Sequence, residues 1–246
     1  MPRTDGTCDG FKRSHAGGIL PRAKLGGFKV TDAQNPFKGL HCVCPPGIRP
    51  TRLALGLTGN PGAGKTTVAG ILERQGARVI SGDALGHDLL NKESPVFDQI
   101  VRTFGNSILD VGGEIRREKL GNVVFRSTDE LERLNRLVHP ILVERIRAGV
   151  MSFRHSNDVG PLVVDAALIF EWGIADMFDA ILVVTAPIGQ RRERFSKMKG
   201  VSSAEFDRRE KTQLSEFEKM RRGNILISNQ DDPSALQANV EKIIKG

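Results

Sequence analysis

Short apolar runs alternate with segments of helical periodicity from residue 51 to the end of the chain. Five of these runs have the length and continuous apolar character of strands that are covered on both faces, which is typical of parallel sheets. The helical segments between them favour an α/β fold with a five-stranded parallel sheet flanked by helices. The predicted strands are residues 53–57, 78–81, 162–165, 180–184 and 225–228.

Two longer segments interrupt this alternation. Residues 84–150 show helical periodicity without a strong strand pattern, so we predict a helical insertion there. Residues 188–222 form a second insertion, which is the most charged part of the chain. Two helix faces are indicated within the first insertion: Ile100, Val101 and Phe104, and then Leu131, Leu134, Leu137 and Val138.

Charge and cysteine are concentrated at the start of the chain. Residues 1–52 hold nine Lys and Arg against three Asp and Glu, and therefore carry six of the seven net positive charges. The rest of the chain is close to neutral, which argues against a nucleic-acid-binding body. Residues 1–50 are rich in Gly and Pro without a sustained period, so we expect a disordered basic extension before a domain at 51–246.

The sequence also indicates in which compartment the protein works and whether it contacts a membrane. All three cysteines lie before residue 45, so the predicted domain cannot depend on disulfides, which suits a cytoplasmic protein. No apolar stretch is long enough to span a bilayer, and we expect no membrane partner. The sequence does not determine the oligomeric state, and a monomer is consistent with it.

The loop after the first predicted strand carries a phosphate-binding motif. It fits G-x-x-x-x-G-K-[ST] and is followed by a helical pattern, which is the context that the motif requires. Its glycines let successive backbone N–H groups face an anion, and the helix N-terminus adds its dipole. Lys65 can reach the β- and γ-phosphates of ATP, and the Thr66 hydroxyl can ligate Mg²⁺. The predicted nucleotide-binding residues are Asn60, Pro61, Gly62, Ala63, Gly64, Lys65, Thr66 and Thr67.

Asp83 follows the second predicted strand, at the sheet edge where open α/β sheets bind ligands. A carboxylate there can accept a hydroxyl proton and approach Mg²⁺, as the base of a kinase does. Asp83 can equally be the N-cap of a helix that starts at Ala84, since Asp is a good N-cap residue. Spacing alone leaves both interpretations open.

Two more carboxylates follow the third predicted strand. Asp165 ends that strand, where it can hold Mg²⁺ in the manner of a Walker B residue or simply form a turn. Glu171 lies beside Trp172, the only tryptophan, and can bind a substrate or cap a turn. The segment Asp165-Ala166-Ala167-Leu168 lacks the Asp-x-x-Gly switch of GTPases, and residues 229–232 lack the lysine of a guanine-reading motif.

The basic insertion has three interpretations. Acidic residues interleave with the basic ones, as on a solvated helix face. A nucleic-acid patch is weaker for the same reason. The third interpretation is a lid over a triphosphate, because cations there would stabilise the charge on a transferred phosphoryl group while the lid excludes water.

The order of these motifs resembles the dephospho-CoA kinase family. The resemblance runs from about residue 53 to the C-terminus, with Asp83 at the family's catalytic position. Four residues depart from the family's pattern: Ser81, Ala167, Met198 and Asn224. The segments that carry the resemblance are residues 55–68, 79–83, 113–125, 134–140, 168–171, 200–213, 218–219 and 227–229.

The resemblance implies a three-part enzyme that transfers the γ-phosphoryl group of ATP to the ribose 3′-hydroxyl of dephospho-CoA, with Mg²⁺. Its core binds ATP, the insertion at 84–150 binds dephospho-CoA, and the lid at 188–222 closes over ATP. Thr66, Asp83 and Asp165 would hold the metal, and Lys65, Asp83 and the lid's Arg194 and Arg209 would catalyse transfer. The implied substrate-binding residues are Asp83, His87, Arg117, His139 and Glu171.

Two other functions fit the same loop. The first is another P-loop small-molecule or nucleotide kinase, which would differ mainly in the helical insertion. The second is a nucleotide-binding regulatory protein without turnover. Consumption of ATP with and without dephospho-CoA separates all three.

Overall fold

The computed structural model describes residues 53–124, 127–199, 202–230 and 232–245. The predicted basic extension at 1–50 lies outside them. The strands are β1 Ala54–Thr58, β2 Arg78–Ser81, β3 Leu162–Asp165, β4 Ala180–Thr185 and β5 Ile225–Ser228. The helices are α1 Lys65–Arg74, α2 Gly82–Asp88, α3 Phe97–Phe104, α4 Arg117–Val124, α5 Thr128–His155, α6 Ile188–Lys199, α7 Ser203–Lys211, α8 Glu216–Arg222 and α9 Pro233–Lys245.

The five strands form one parallel sheet in the order β2-β3-β1-β4-β5. This confirms the predicted α/β fold, and each strand begins and ends within one residue of its predicted bounds. Alternate side chains of the strands point to opposite faces. Leu182 and Val184 of β4 therefore join the core under α1 and α9, whereas Ile181 and Val183 join the core under α5.

The helical insertion predicted at 84–150 contains most of α2, all of α3 and α4, and most of α5. Ile100 and Phe104 of α3 are buried, and the predicted face at Leu131, Leu134, Leu137 and Val138 packs on the same core. Helix α5 starts at the N-cap Ser127, whose side chain accepts a hydrogen bond from the Asp129 N–H. Its last turns, with Ile146, Val150 and Phe153, cover the sheet and run past the insertion boundary predicted at 150.

The register brings the chemically important loops to one edge of the sheet. Asp165 pairs with Leu57 on one side and with Ser81 on the other. Because the carboxyl ends of parallel strands face the same way, the segments after β1, β2 and β3 meet there. None of the helices in the described part of the chain is long and apolar enough to cross a membrane.

Candidate active site

The phosphate-binding loop after β1 has a conformation that only glycine permits at three positions. Gly62 and Gly64 have φ values of 73° and 98°, in the left-handed region. A Cβ at Gly62 would lie 2.0 Å from the Arg191 carbonyl oxygen, and one at Gly64 would lie 2.2 Å from the Asn229 side-chain nitrogen. A Cβ at Gly59 would lie 2.4 Å from the Val184 carbonyl oxygen.

Helix α1 begins directly after this loop. Its N-cap is Gly64, and no side chain of the described residues caps it. Thr66 and Thr67 in the first turn are exposed. The N–H groups of a helix's first turn have no partner within the helix, so they are available to an anion. The Lys65 ammonium donates to the Gly59 carbonyl oxygen at 2.9 Å, which holds it over the loop.

Three charged groups at the sheet edge influence one another. Burial lowers the pKa of Lys65, and the nearby Asp165 and Asp83 carboxylates oppose that shift. Burial raises the pKa of Asp165 to about 6, with Lys65 acting against the rise and Asp83 adding to it. The structure therefore brings together Lys65, Asp83 and Asp165, which the sequence had placed on three separate elements.

Asp83 is not the N-cap of its helix, so that interpretation was wrong. Helix α2 starts at Gly82, two residues earlier than expected, and its N-cap is Ser81. The Ser81 hydroxyl accepts a hydrogen bond from the Ala84 N–H at 3.2 Å. Asp83 lies in the first turn of α2 and is exposed, and it does not cap the helix.

The residues predicted to bind the acceptor fall into separate groups. His87 of α2 and Arg117 of α4 approach each other, with 3.5 Å between Nδ1 and Nη1. His139 of α5 packs against Trp172, with ring centroids 5.5 Å apart. The His139 Nε2 is buried and has no hydrogen-bond partner among the described residues.

Glu171 contacts the lid rather than open space. One of its carboxylate oxygens accepts a hydrogen bond from the Leu214 N–H at 2.8 Å and lies 3.3 Å from the Lys219 ammonium. Lys219 is fully buried, and it also donates to the Ala167 carbonyl oxygen at 2.7 Å and to Gln213 Oε1 at 2.9 Å. Burial lowers the pKa of Lys219, and Glu171 opposes the shift.

The lid helices combine exposed and buried charges. Lys197 and Glu193 form a surface pair one helical turn apart, as expected for a solvated face. Glu205 is buried instead, and its carboxylate pairs with both Arg208 and Arg209. Arg194 donates to the Asn229 carbonyl oxygen at 2.8 Å and to Gln190 at 3.0 Å. Arg209 donates to Glu205 at 2.8 Å and lies over the Phe195 ring. Both predicted catalytic arginines are thus already held by contacts within the protein.

Sequence reasoning missed three residues that join the lid to the rest of the site. Lys219, Arg191 and Glu210 all lie in the charged insertion, where the alternation of acidic and basic residues is also typical of a solvated helix face. Arg191 is 2% exposed and forms an ion pair with Glu210. No spacing signal distinguishes such a buried charge from its exposed neighbours, because helix periodicity does not show which charged face is covered.

The carboxylates and the loop hydroxyl fit a magnesium site completed by a nucleotide. Mg²⁺ is commonly bound by one or two carboxylates together with substrate phosphates and water. Asp165 and Asp83 supply two carboxylates whose mutual repulsion a cation would relieve, and Thr66 is exposed in the first turn of α1, directly after the loop. No group of three or more His, Cys, Asp and Glu side chains forms a ready-made cage among the described residues.

A comparison with protein-family models decides the family. The dephospho-CoA kinase model matches residues 53–234, which is most of the chain. The chain belongs to the dephospho-CoA kinase family. As a member of a kinase family it is a phosphotransferase, and ATP is the substrate that this membership implies.

Relatives and solved structures agree with this family. A dephospho-CoA kinase from Aquifex aeolicus is 35% identical over 189 residues, which cover 77% of this chain and 94% of that protein. Another from Syntrophus aciditrophicus is 35% identical over 199 residues, covering 81% and 85%. The crystal structure of a Thermus thermophilus protein is similar with a TM-score of 0.62 and 28% identity, over 78% of this chain and 96% of that one.

The similarity also extends to a dephospho-CoA kinase structure from Campylobacter jejuni, which supports the fold. Its TM-score is 0.60 at 22% identity, and the match covers 78% of this chain and 95% of that chain. Dephospho-CoA kinases therefore match this chain over almost their whole length, beginning near residue 53 in the family model.

Proposed function

We propose that this protein catalyses the transfer of the γ-phosphoryl group of ATP to the ribose 3′-hydroxyl of dephospho-CoA, giving ADP and CoA. The observation that carries this proposal is the grouping of Lys65, Asp83 and Asp165 at the sheet edge beside the phosphate-binding loop. Family membership supplies the acceptor, because the relatives are named for dephospho-CoA.

Asp83 is the residue that accepts the proton of the 3′-hydroxyl. The hydroxyl oxygen forms a bond to the γ-phosphorus as its proton passes to the carboxylate, and the bond between that phosphorus and the β–γ bridging oxygen breaks. An exposed carboxylate at the start of α2 can reach an acceptor bound against the helical insertion. Because Ser81 caps the helix, the Asp83 carboxylate is available for this role.

The loop binds the phosphates of ATP. The backbone N–H groups of Gly62 and of residues 64–67 face them, and the Lys65 ammonium exchanges its bond to Gly59 for the β- and γ-phosphate oxygens. Thr66, Asp83 and Asp165 are the residues that would hold Mg²⁺, which neutralises charge on the phosphates when bound. Burial of the ammonium strengthens its interaction with the phosphates.

The acceptor lies against the insertion at 84–150, and the lid at 188–222 covers the donor. His87 and Arg117 form one contact point for dephospho-CoA. His139, whose buried Nε2 has no hydrogen-bond partner in the described part of the chain, offers a second contact point. Glu171, which binds the Leu214 N–H of the lid, offers a third. Arg194 and Arg209 turn from their present partners toward the transferred group when the lid closes. The lack of cysteine after residue 44 fits a cytoplasmic enzyme.

A turnover assay with matched acceptors tests the proposal. Purified protein is incubated with ATP, Mg²⁺ and dephospho-CoA, and ADP and CoA are measured by chromatography and mass spectrometry. We expect one CoA for each ADP with dephospho-CoA. We expect no transfer to CoA itself, because its 3′-position already carries the phosphate.

Two variants complete this assay. Lys65→Ala should abolish transfer, because the loop loses its charge on the β- and γ-phosphates. Lys242→Ala, which changes an exposed lysine of α9, should leave turnover unchanged. ATP consumption that does not depend on dephospho-CoA, or full turnover by Lys65→Ala, would contradict the proposal.

A further inference from the structure

The side chain of Asn60 connects the phosphate-binding loop to the lid. Its amide nitrogen donates to Glu210 Oε1 and to the Leu214 carbonyl oxygen, both at 3.2 Å. Asn60 is completely buried, and its Oδ1 has no hydrogen-bond partner among the described residues. The orientation of this amide therefore depends on acceptors that the lid supplies.

Arg191 makes a second connection between the same parts. Two guanidinium nitrogens bind the Glu210 carboxylate at 2.7 and 2.8 Å, so that the pair is bidentate. The same guanidinium donates to the Pro61 carbonyl oxygen at 3.3 Å and to the Ala186 carbonyl oxygen at 3.1 Å. Its Nε lies 3.4 Å from Glu216.

The loop also touches the backbone of this arginine. A side chain at Gly62 would meet the Arg191 carbonyl oxygen, so α6 lies directly on the loop. Three consecutive loop residues, Asn60, Pro61 and Gly62, thus contact Arg191 or its partner Glu210. All three residues belong to the loop to which the proposed function assigns the phosphates of ATP.

We propose that Asn60, Arg191 and Glu210 form a latch that positions the phosphate-binding loop and couples ATP binding to the lid. This inference rests on the proposed function for the identity of the nucleotide. The three are positioning residues, since the side chains act through the loop and the lid. The latch holds the loop in its phosphate-binding shape, so ATP binding does not have to order it.

Glu210 is central to the latch because its carboxylate accepts hydrogen bonds from both Asn60 and Arg191. Its loss leaves the buried Arg191 charge with Glu216 as its remaining carboxylate and removes one of two acceptors from Asn60. A buried charge without a full set of partners is costly, and the side chains around it rearrange to satisfy it. The loop, which lies on Arg191, would rearrange with them.

A matched control pair joins the same two helices without reaching the loop. Arg192 of α6 and Asp207 of α7 are 2.7 Å apart, like Arg191 and Glu210. Their side chains are 43% and 47% exposed, and no contact described for either residue involves the phosphate-binding loop. Asp207→Asn therefore weakens the packing of α6 on α7 without disturbing the latch.

The test measures ATP binding without an acceptor, by calorimetric titration in the presence of Mg²⁺. We expect Glu210→Gln and Asn60→Ala each to raise the Kd for ATP about tenfold, since each removes a hydrogen bond that involves a charged group. The Kd of the double variant for ATP should be about equal to the higher of the two single-variant values, because both changes break the same connected set of contacts. Asp207→Asn should bind ATP within about twofold of wild type.

A second readout separates positioning from general stability. Dephospho-CoA binding, titrated without ATP, should change by less than about twofold in Glu210→Gln and Asn60→Ala. Lower melting temperatures with an unchanged Kd for ATP would overturn the latch. Fully additive losses in the double variant would overturn it as well.

The outcome for the latch is independent of the outcome for the acceptor. A wild-type protein that binds ATP but does not phosphorylate dephospho-CoA contradicts the proposed function, and the ATP titrations still decide on the latch. A wild-type protein that makes CoA, with variants that bind ATP normally, supports the function and rejects the latch.

Discussion

The Ser81 hydroxyl accepts a hydrogen bond from the Ala84 N–H, and this single contact separates the two interpretations of Asp83. A serine that caps α2 leaves the carboxylate two residues later without a capping function. Asp83 lies at the carboxyl end of β2, close enough to Lys65 and Asp165 to influence the pKa of each. A catalytic base of a kinase would occupy such a position.

The first prediction concerns Asp83→Asn. The substitution keeps the size of the side chain and leaves the Ser81 cap intact, so the melting temperature should change little. It removes the proton acceptor, and we expect turnover with dephospho-CoA to fall by about 10²–10⁴-fold. ATP binding should be largely retained, except for the part that depends on Mg²⁺ held by this carboxylate.

Asp88→Asn is the control for this prediction, because it changes an exposed aspartate at the end of the same helix. Steady-state turnover and thermal melting are measured on both variants. A turnover of Asp83→Asn within about threefold of wild type would exclude the base, because that ratio corresponds to less than about 1 kcal/mol of barrier.

The sheet and the phosphate-binding loop could be predicted from the sequence for a simple physical reason. A strand that is covered on both faces must be apolar throughout, so β3 and β5 were predicted with their actual bounds, Leu162–Asp165 and Ile225–Ser228. The loop needs glycine at Gly62 and Gly64, where another residue would be strained, so its pattern is visible in the sequence.

The lid contacts could not be predicted in the same way. Arg191 and Arg192 are neighbours in the sequence, yet the first is buried on Glu210 and the second is paired at the surface with Asp207. Which of two adjacent arginines is buried depends on how α6 sits on the phosphate-binding loop. That packing involves residues more than a hundred positions away, and local periodicity carries no information about it.

The second prediction concerns Gly62→Ala. An alanine there must adopt a φ of 73° and place its Cβ 2.0 Å from the Arg191 carbonyl oxygen. Both effects push the loop away from α6, so we expect a melting temperature lower by several degrees and ATP binding weaker by at least about tenfold. Gly189→Ala in α6 has nothing within 4 Å of the new Cβ and should leave both unchanged or raise stability slightly. Normal ATP affinity in Gly62→Ala would show that the loop tolerates this displacement.

The third prediction concerns residues 1–48, which lie outside the described part of the chain. The family model begins at residue 53, and 189 residues of this chain cover 94% of the Aquifex aeolicus kinase. Deleting residues 1–48 should therefore leave turnover with dephospho-CoA within about twofold of the full chain and the melting temperature nearly unchanged. A marked loss of either quantity would mean that the extension packs on the kinase domain.

The fourth prediction concerns the pH dependence of stability and Glu216. This side chain accepts a hydrogen bond from the Ala186 N–H at 3.2 Å and lies beside Arg191. Burial raises its pKa from 4.5 to about 7, against the opposing effect of Arg191 and with a further contribution from Glu210. Between pH 4.5 and 7 the folded protein thus holds a proton at this site that the unfolded chain has released.

The sign of the effect follows from that proton. Stability falls with rising pH wherever the folded state binds more protons, so the contribution of Glu216 is fully present below pH 4.5 and is lost as the pH rises through 7. Glu216→Gln removes this dependence while keeping an oxygen that can accept from Ala186. Relative to wild type, the variant should gain about 1–3 kcal/mol in free energy of unfolding between pH 5 and pH 8.

Urea unfolding without nucleotide, at several pH values from 5 to 8, measures this difference for wild type, Glu216→Gln and Glu218→Gln. Glu218 lies on the same helix, where it pairs at the surface with Arg221 and Arg222, so its substitution controls for the loss of a carboxylate from α8. The wild-type and Glu218→Gln curves should stay roughly parallel, whereas the Glu216→Gln curve should rise relative to both from pH 5 to about pH 7 and then level off. If all three curves run parallel, Glu216 is ionised throughout this range, and its pairing with Arg191 outweighs the cost of burial.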